Sequence, residues 1–271
     1  MSHLAYHRPA SAAEAQRLAA GDPEAKLIAG GQSIVSSLKL GLLAPTALID
    51  LAGIPELRGI RLQGRTLTLG AMTTHAAVSE SPEVRASIPA LARLAGGIGD
   101  RQVRNRGTAG GSLANSDPAA DYPAAALGLG AVLRTTRRSI PADAFFKGLF
   151  ETALEAGEIL TAVDFPVPDR SAYVKFPQPA SRFALVGVFL SQTGAAVRVA
   201  VTGASPCVFR VREMEEALAK KFAPESLAGI GVAAGGLSGD IHGSAQYRAH
   251  LIPVLARQAV AQALGEHPRS P

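Results

Sequence analysis

Two glycine-rich segments constrain this chain more than any other feature of its sequence. The first is Ala29-Gly30-Gly31-Gln32-Ser33, and the second is Gly107-Thr108-Ala109-Gly110-Gly111-Ser112. Glycine allows tight turns and leaves backbone N–H groups accessible, and successive N–H groups of this kind form a concave anion site. Two such sites suit a diphosphate held between them, so the sequence predicts a dinucleotide cofactor. The alternative is that both segments are simply turns, since the chain contains 28 glycines.

The flanks of both segments favour the cofactor interpretation. Lys26-Leu27-Ile28-Ala29 has the pattern of a short strand that ends at the first segment. After the second segment, Asp117-Pro118 resembles a helix N-cap followed by a first-turn proline, which predicts a helix from Pro118 to about Leu127. Asp121 would lie one turn into that helix. There it either accepts from a cofactor hydroxyl or is a solvated acid that complements the helix dipole.

Several common motifs are missing from the sequence. There is no G-x-G-x-x-G of a Rossmann site, no G-x-x-x-x-G-K-[ST] of a P-loop and no G-x-S-x-G nucleophile elbow. His75 follows Thr73-Thr74 and is interpreted as a helix-start residue rather than a catalytic base. No histidine or cysteine lies in a frame with further ligands nearby, so no metal site is expected.

The composition narrows the class of protein further. The 271 residues are 47% hydrophobic and 18% charged, which is typical of a folded chain, and no apolar run is long enough to span a bilayer. The N-terminus lacks a hydrophobic signal core, so a cytoplasmic location is expected. Cys207 is the only cysteine, which excludes an internal disulfide and a cysteine-ligated iron–sulfur cluster. The net charge is +5, yet aromatic residues are scarce, so no nucleic-acid partner is expected.

Strand and helix patterns alternate unevenly along the chain, which predicts an α+β protein. Ser11-Ala-Ala-Glu14 is a capping box that opens a helix ending near Gly21. Residues 60–62 and 67–69 predict a hairpin, residues 183–190 and 195–201 predict strands, and residues 214–220 and 245–264 predict helices. Pro166, Pro168 and the stretch 177–180 predict a domain boundary.

Beyond these local patterns, the sequence resembles the FAD-binding medium subunit of the molybdenum hydroxylases, which include the carbon-monoxide-dehydrogenase-like and xanthine-dehydrogenase-like enzymes. The resemblance covers nearly the whole chain in the right order. The matching segments are residues 29–33, 48–51, 70–75, 98–113, 117–121, 145–146, 158–160, 173–175 and 240–248. The second glycine-rich segment with its flanks, Ile98-Gly-Asp-Arg-Gln-Val-Arg-Asn-Arg-Gly-Thr-Ala-Gly-Gly-Ser-Leu113, is the most specific of these.

The resemblance implies a fold of three lobes. Residues 1–57 and 58–168 would form the two lobes of a vanillyl-alcohol-oxidase/PCMH-type FAD-binding fold, with FAD between them, and residues 169–271 would form a C-terminal α+β lobe. In that arrangement residues 26–34 wrap the pyrophosphate, Asp121 binds a cofactor hydroxyl, Leu160 contacts the ring system and Lys175 approaches the flavin. The implied cofactor-binding residues are Lys26, Leu27, Ile28, Ala29, Gly30, Gly31, Gln32, Ser33, Ile34, Thr74, Thr108, Ala109, Gly110, Gly111, Ser112, Ala114, Asp121, Leu160 and Lys175.

The resemblance also implies a role and a set of partners. FAD would be bound noncovalently, and it would relay electrons from iron–sulfur clusters on a small partner subunit to an external acceptor. Molybdopterin and the [2Fe-2S] clusters would be held only by partner subunits, in a heterotrimer that is doubled. The redox chemistry belongs to the cofactor, so no side chain is expected to be catalytic. The alternatives are a free-standing FAD-dependent oxidase or dehydrogenase and a cofactor-free assembly scaffold.

Overall fold

The computed structural model describes residues 4–265, and its first part is a small parallel sheet with two helices. The strand order is β1-β3-β2, and β3 pairs in parallel with both neighbours. The elements are β1 (Ala5–His7), α1 (Ala12–Gly21), β2 (Lys26–Ile28), α2 (Ile34–Lys39) and β3 (Ala47–Asp50). The predicted capping box is confirmed in part, because the Ser11 hydroxyl accepts from the Glu14 backbone N–H at 3.2 Å. The Glu14 carboxylate accepts from the N–H of Ala10 rather than that of Ser11.

The second part is a five-stranded antiparallel sheet with the strand order β4-β5-β10-β6-β7 and a cluster of short helices. The strands are β4 (Ile60–Gln63), β5 (Thr66–Gly70), β6 (Val132–Thr135), β7 (Ser139–Pro141) and β10 (Leu160–Pro166), beside a separate two-stranded ribbon of β8 (Phe146–Gly148) and β9 (Glu151–Thr152). The helices are α3 (His75–Glu80), α4 (Pro82–Ser87), α5 (Pro89–Gly96), α6 (Arg101–Arg106), α7 (Ala109–Asn115), α8 (Tyr122–Leu129) and α9 (Ala142–Phe145). The predicted hairpin is confirmed by the pairing of β4 with β5.

The third part is a four-stranded antiparallel sheet with two helices packed against it. Its strands are β11 (Arg170–Pro177), β12 (Ala184–Thr193), β13 (Ala196–Thr202) and β14 (Phe209–Arg210), in that order. Its helices are α10 (Arg212–Lys220) and α11 (Ala245–Ala263), and both were predicted from the sequence. A separate apolar core forms between this sheet and the helices, with Val186, Val188 and Ile252 fully buried. No helix between residues 4 and 265 has the length and apolar character needed to cross a bilayer.

Helix α8 holds the second and third parts together. Every residue of this helix is buried, so it has no polar face, and its apolar side chains share one core with Phe189 and Ala200 of the third sheet. The Ser191 hydroxyl donates to the Gly128 carbonyl at 2.6 Å, and the Thr202 hydroxyl donates to the Ala120 carbonyl at 2.7 Å. These bonds satisfy carbonyls near both ends of a helix that is otherwise surrounded by apolar side chains.

The structure corrects three local predictions. Helix α8 begins at Tyr122 rather than Pro118, because the Asp117 carboxylate accepts from the Ala119 N–H in a tight turn instead of capping a helix. The second glycine-rich segment is not a loop, since Thr108 caps α7 and residues 109–112 form its first turn. The stretch 177–180 does not separate two domains, because Pro177 ends β11 and the residues after it connect β11 to β12, its partner in the third sheet.

Candidate functional site

A cavity of about 490 Å³ lies where the three parts of the chain meet. The segment after β2, the first turn of α7, the start of β10 and the connector between β11 and β12 all contribute to its wall. Most of the predicted cofactor-binding residues line it: Lys26, Leu27, Ala29, Gly30, Gly31, Gln32, Ser33, Ile34, Thr108, Gly110, Gly111, Ser112, Ala114, Asp121 and Leu160. The predicted residues that do not line it are Ile28, Thr74, Ala109 and Lys175.

The first glycine-rich segment lines this cavity and has backbone N–H groups that are not used within the segment itself. In the part of the chain that the structure describes, the N–H groups of residues 30–34 donate no hydrogen bond to another residue. Gly31 has a φ of +78°, a left-handed conformation that glycine adopts without a steric penalty. A run of free N–H groups around one concave turn is an anion site, so this segment fits the diphosphate of a dinucleotide.

The second segment contributes to the cavity in another way. The N–H of Gly110 donates to the Ala71 carbonyl at 2.9 Å, that of Gly111 to the Thr108 hydroxyl at 3.1 Å and that of Ser112 to the Thr108 carbonyl at 3.0 Å. These N–H groups are therefore not free for a ligand, contrary to the expectation from the glycine pattern. What the segment offers the cavity is a surface of small residues and the Ser112 hydroxyl.

Close backbone packing explains two of the glycines. A Cβ atom on Gly30 would lie 2.1 Å from the Arg106 carbonyl oxygen, and one on Gly110 would lie 2.5 Å from the Ala71 Cβ. Any side chain at either position would force these segments apart. Gly30 therefore allows the first segment to contact the end of α6, and Gly110 allows α7 to contact the residue that follows β5. Both close contacts are at the wall of the cavity.

Asp121 is a buried carboxylate in the cavity wall. It is 4% exposed, and its Oδ1 accepts from the Tyr173 hydroxyl and, at 2.9 Å, from the Lys175 ammonium. Burial raises the pKa of Asp121, and the Lys175 charge opposes that rise. The solvated-acid alternative for Asp121 is therefore wrong. The residue occupies the N-cap position of α8 rather than its second turn, and its side chain makes no capping hydrogen bond.

Lys175 reaches the site from the third sheet. Its ammonium group donates to the Gly97 carbonyl at 3.1 Å and to the Arg182 carbonyl at 3.0 Å, in addition to Asp121. An ammonium group has three N–H bonds, so all three are used within the chain. Lys175 thus ties β11 to the end of α5, to Asp121 and to the connector that borders the cavity.

His75 lies in the cavity wall at the start of α3. Its side chain is 5% exposed and stacks on the Tyr122 ring with centroids 5.3 Å apart. Burial, with a smaller contribution from the nearby Arg104 charge, lowers the pKa of His75 to about 4. Its Nδ1 finds no hydrogen-bond partner among the described residues. The imidazole is therefore neutral at pH 7. Gly107 packs closely against the ring, since a Cβ atom on Gly107 would lie 2.6 Å from the His75 Nε2.

The sequence analysis missed several residues that line the cavity, among them Ile98, Gly99, Val103 and Phe183. The first three belong to the stretch directly before the second glycine-rich segment, so their proximity in sequence was a usable signal. Phe183 lies on the far side of a chain reversal, and only the pairing of β11 with β12 brings it to the cavity. Its ring is 48% exposed.

Comparison with known proteins identifies the class to which this site belongs. Residues 2–168 match the family model described as the FAD-binding domain in molybdopterin dehydrogenase. The chain belongs to this family. FAD is therefore the cofactor of this family, and the N–H groups of residues 30–34, which make no hydrogen bond among the described residues, are suited to a diphosphate.

Similar proteins extend the match over the full chain. The nicotine 6-hydroxylase medium subunit of Paenarthrobacter nicotinovorans is 36% identical over 96% of this chain and 97% of that protein. The carbon monoxide dehydrogenase medium chain of Hydrogenophaga pseudoflava is 37% identical over 94% of this chain and 95% of that protein.

Solved structures agree with this assignment. The structure of carbon monoxide dehydrogenase from Hydrogenophaga pseudoflava superposes with a TM-score of 0.87 at 33% identity, covering 97% of this chain and 98% of that one. Quinoline 2-oxidoreductase from Pseudomonas putida 86 gives a TM-score of 0.85 at 30% identity, with 97% of both chains covered. The resemblance stated from the sequence is confirmed, as are the mixed helix-and-sheet fold and the role of an oxidoreductase flavoprotein subunit.

Proposed function

We propose that this chain binds one FAD noncovalently and passes electrons from a partner's iron–sulfur clusters to an external acceptor. The observation that carries this proposal is the run of N–H groups at residues 30–34 that make no hydrogen bond within the described chain, in a segment that lines the same cavity as Asp121. When bound, FAD supplies the redox chemistry. The chain's own residues supply the diphosphate site, a carboxylate acceptor at Asp121 and a wall that includes the neutral imidazole of His75.

The fold proposed here is more specific than a mixture of helices and sheets. The parallel sheet of β1–β3 and the antiparallel sheet around β10 correspond to the two lobes of a vanillyl-alcohol-oxidase/PCMH-type FAD-binding fold. The third sheet with α10 and α11 is the additional C-terminal lobe. The division at residues 57/58 and 168/169 follows the ends of these sheets, since β4 begins at Ile60 and β11 at Arg170.

The proposed partners are a molybdopterin-binding large subunit and an iron–sulfur small subunit, in a doubled heterotrimer. The single cysteine cannot hold an iron–sulfur cluster, so electrons must reach the cavity from another chain. Among residues 4–265 no group of histidine, cysteine or acidic side chains is arranged to bind a metal. A cytoplasmic location belongs to the same proposal and agrees with a lone cysteine that is free.

Helix α2 is the surface proposed to receive the iron–sulfur subunit. None of its residues is buried, and the apolar side chains that follow it are widely exposed, with Leu40 at 73% and Leu42 at 71%. The same helix borders the cavity, because Ile34 and Ser37 are part of its wall. Exposed apolar side chains close together mark an interaction site, and this one borders the cavity proposed to hold FAD.

Reconstitution tests the proposed function. The isolated chain, loaded with FAD, is mixed with hydroxylase substrate alone, with each partner subunit and with both, while flavin absorbance is followed. We expect the flavin to be bleached by substrate only when both partners are present, and by a chemical reductant in every case. Substrate turnover by the isolated chain would support the free-standing enzyme instead, and a chain that binds no flavin would support the scaffold.

The mode of FAD attachment is tested separately. Neither glycine-rich segment contains a histidine or cysteine, so the cofactor should appear in the supernatant after acid precipitation. His75 is the histidine in the cavity wall. Flavin retained in the pellet of the parent chain, but released from His75→Ala, would identify a covalent tether and contradict noncovalent binding.

A further inference from the structure

A second cavity, distinct from the cofactor cavity, lies between α3, α5 and α6. Its volume is about 620 Å³, and it shares no lining residue with the cofactor cavity. Its lining residues include four arginines, at positions 85, 93, 101 and 104, and only one acid, Glu80. The volume is within the range of ligand sites, and the charge of the wall is strongly positive.

Two of these guanidinium groups are held in place by backbone carbonyls. The Arg85 Nε donates to the Ser79 carbonyl at 2.8 Å. The Arg104 Nη1 donates to the carbonyls of Ile98 and Gly99, both at 3.0 Å. A guanidinium carries five N–H bonds, so both groups keep donors for a further partner while their positions are fixed.

The positive charge of the cleft is not neutralised by the chain. Within residues 4–265, none of the four arginines forms an ion pair with a carboxylate. Elsewhere the chain pairs its arginines closely: Arg138 with Glu158 at 3.1 Å, and Arg210 with Glu215 at 2.7 Å. Concentrated unpaired guanidinium groups attract an anion, and their planar geometry matches the oxygens of phosphate in pairs.

We propose that this cleft is a binding site for phosphate-bearing anions, with a diphosphate as the smallest ligand that engages several arginines together. Its apolar wall consists of small residues, Ala76, Pro89 and Ala92, without an aromatic ring. Recognition therefore rests on the phosphate oxygens rather than on stacking of a base. Ser79 and Asn105 add polar side chains to the same wall.

The cleft lies directly behind the cofactor cavity. Helix α6 separates the two, with Val103 on the cofactor side and Arg101, Arg104 and Asn105 on the side of the cleft. Gly99, which lines the cofactor cavity, accepts the hydrogen bond that holds Arg104. An anion bound to Arg104 would thus act on a backbone segment that also borders FAD, although binding in the cleft does not require FAD.

Equilibrium dialysis with inorganic pyrophosphate tests the proposal. The full chain is first saturated with FAD, so that pyrophosphate does not enter the cofactor cavity. The double variant Arg93→Glu/Arg101→Glu removes two exposed guanidinium groups, and Arg61→Glu on β4 is the control at an exposed arginine outside the cleft. We expect the double variant to bind pyrophosphate at least roughly tenfold more weakly, since it replaces two cationic donors with two negative charges. The control variant should bind like the parent, and circular dichroism should show all three folded.

Further measurements separate this site from the cofactor site. Gly110→Val disturbs the cofactor cavity, and adding Arg93→Glu/Arg101→Glu to that variant should still weaken its pyrophosphate binding, so failure of FAD binding and failure of the cleft are distinguishable. ADP should bind as tightly as pyrophosphate, and tighter binding of ADP would contradict recognition through the phosphate oxygens alone, because it would require contacts to the nucleoside. Unchanged binding in the double variant, or equal loss in Arg61→Glu, would overturn the proposal. The proposal would also be overturned if the parent chain bound no pyrophosphate and the double variant failed to assemble with its partner subunits. That outcome would assign the cleft to an acidic protein surface.

Discussion

At the scale of single residues, the glycines of the cavity are required for different physical reasons. Gly30 and Gly110 are needed for close backbone contact, with Cβ positions 2.1 Å and 2.5 Å from neighbouring atoms. Gly31 is needed for its φ of +78°, the left-handed conformation of the turn at residues 30–34 where it borders the cavity. The sequence shows that these glycines cluster, but not which demand each one meets, because that depends on segments distant in the sequence.

Gly31→Val tests the role of the turn in cofactor binding. A β-branched residue at positive φ costs about 1–3 kcal/mol, so the turn should rearrange and its N–H groups should no longer converge. We expect FAD affinity, measured by quenching of flavin fluorescence, to fall roughly tenfold or more. Gly41→Val is the matched control, since Gly41 has a similar φ of +67° with no atom near its Cβ position. Equal FAD affinity in both variants would show that the first segment is only a turn.

His75 makes the stability of the chain depend on pH. The pKa of His75 is about 4 in the folded state, whereas that of a histidine exposed to solvent is 6.5. Between pH 4 and 6.5 the unfolded chain binds more protons at His75 than the folded chain does. The contribution of neutral His75 to the free energy of unfolding is therefore fully present above pH 6.5 and is lost as the pH falls toward 4. The loss from this group approaches about 3 kcal/mol.

Urea unfolding at pH 7, 5.5 and 4.5 measures this effect. His75→Phe retains a ring against Tyr122 but cannot titrate, so its stability should fall less than that of the parent over the same range. Parallel curves for the two proteins would mean that the imidazole is not shielded from water as the structure has it.

At the scale of elements, the sequence predicts the helices and strands that have a strong local pattern. It fails where contacts with distant segments determine where an element begins. The hairpin of β4 and β5 and the helix α11 follow from their apolar spacing. Helix α8 does not begin at Pro118, because residues 117–120 form a turn whose Pro118 carbonyl accepts from the Gly203 N–H of the third sheet at 2.8 Å. The partners of that turn are far along the chain, so no local pattern indicates it.

The residues of the candidate site also differ in whether a local sequence pattern predicts them. Residues 26–34 and 107–114 were found because their motifs are contiguous in the sequence. Phe183 was missed, and Lys175 was expected at the cofactor although its three N–H bonds are used within the chain. Both depend on how the third sheet packs on the second, which apolar periodicity does not specify.

Helix α2 supplies a prediction about assembly. The double variant Leu40→Glu/Leu42→Glu places two charges on the exposed apolar surface, so the iron–sulfur subunit should no longer copurify with the chain. FAD binding should persist, because neither side chain lines the cavity. Leu62→Glu on β4, where the leucine is 42% exposed, is the control and should assemble normally. Normal copurification of the double variant would place the partner on another surface.

At the scale of the whole molecule, the ion pair between Lys175 and Asp121 links β11 of the third sheet to the start of α8 in the second part. Lys175→Met would leave a carboxylate that is 4% exposed without its counter-charge. Removing one member of a buried pair costs about 3–5 kcal/mol, so the chain should unfold at a lower denaturant concentration and should bind FAD more weakly. Lys220→Met, at an exposed lysine on α10, is the control. Identical unfolding midpoints for the two variants would show that this link contributes no stability.

The connector between β11 and β12 has a consequence for the order in which the protein is made. Ser181, Arg182 and Phe183 complete the wall of a cavity whose anion site is formed by residues 30–34. During synthesis the N-terminal segments leave the ribosome long before the connector does. A nascent chain can therefore expose the diphosphate site but cannot enclose its ligand until more than half of the polypeptide has emerged. We expect flavin to be retained only after residues 181–183 have left the ribosome, which nascent chains stalled before and after this point would show.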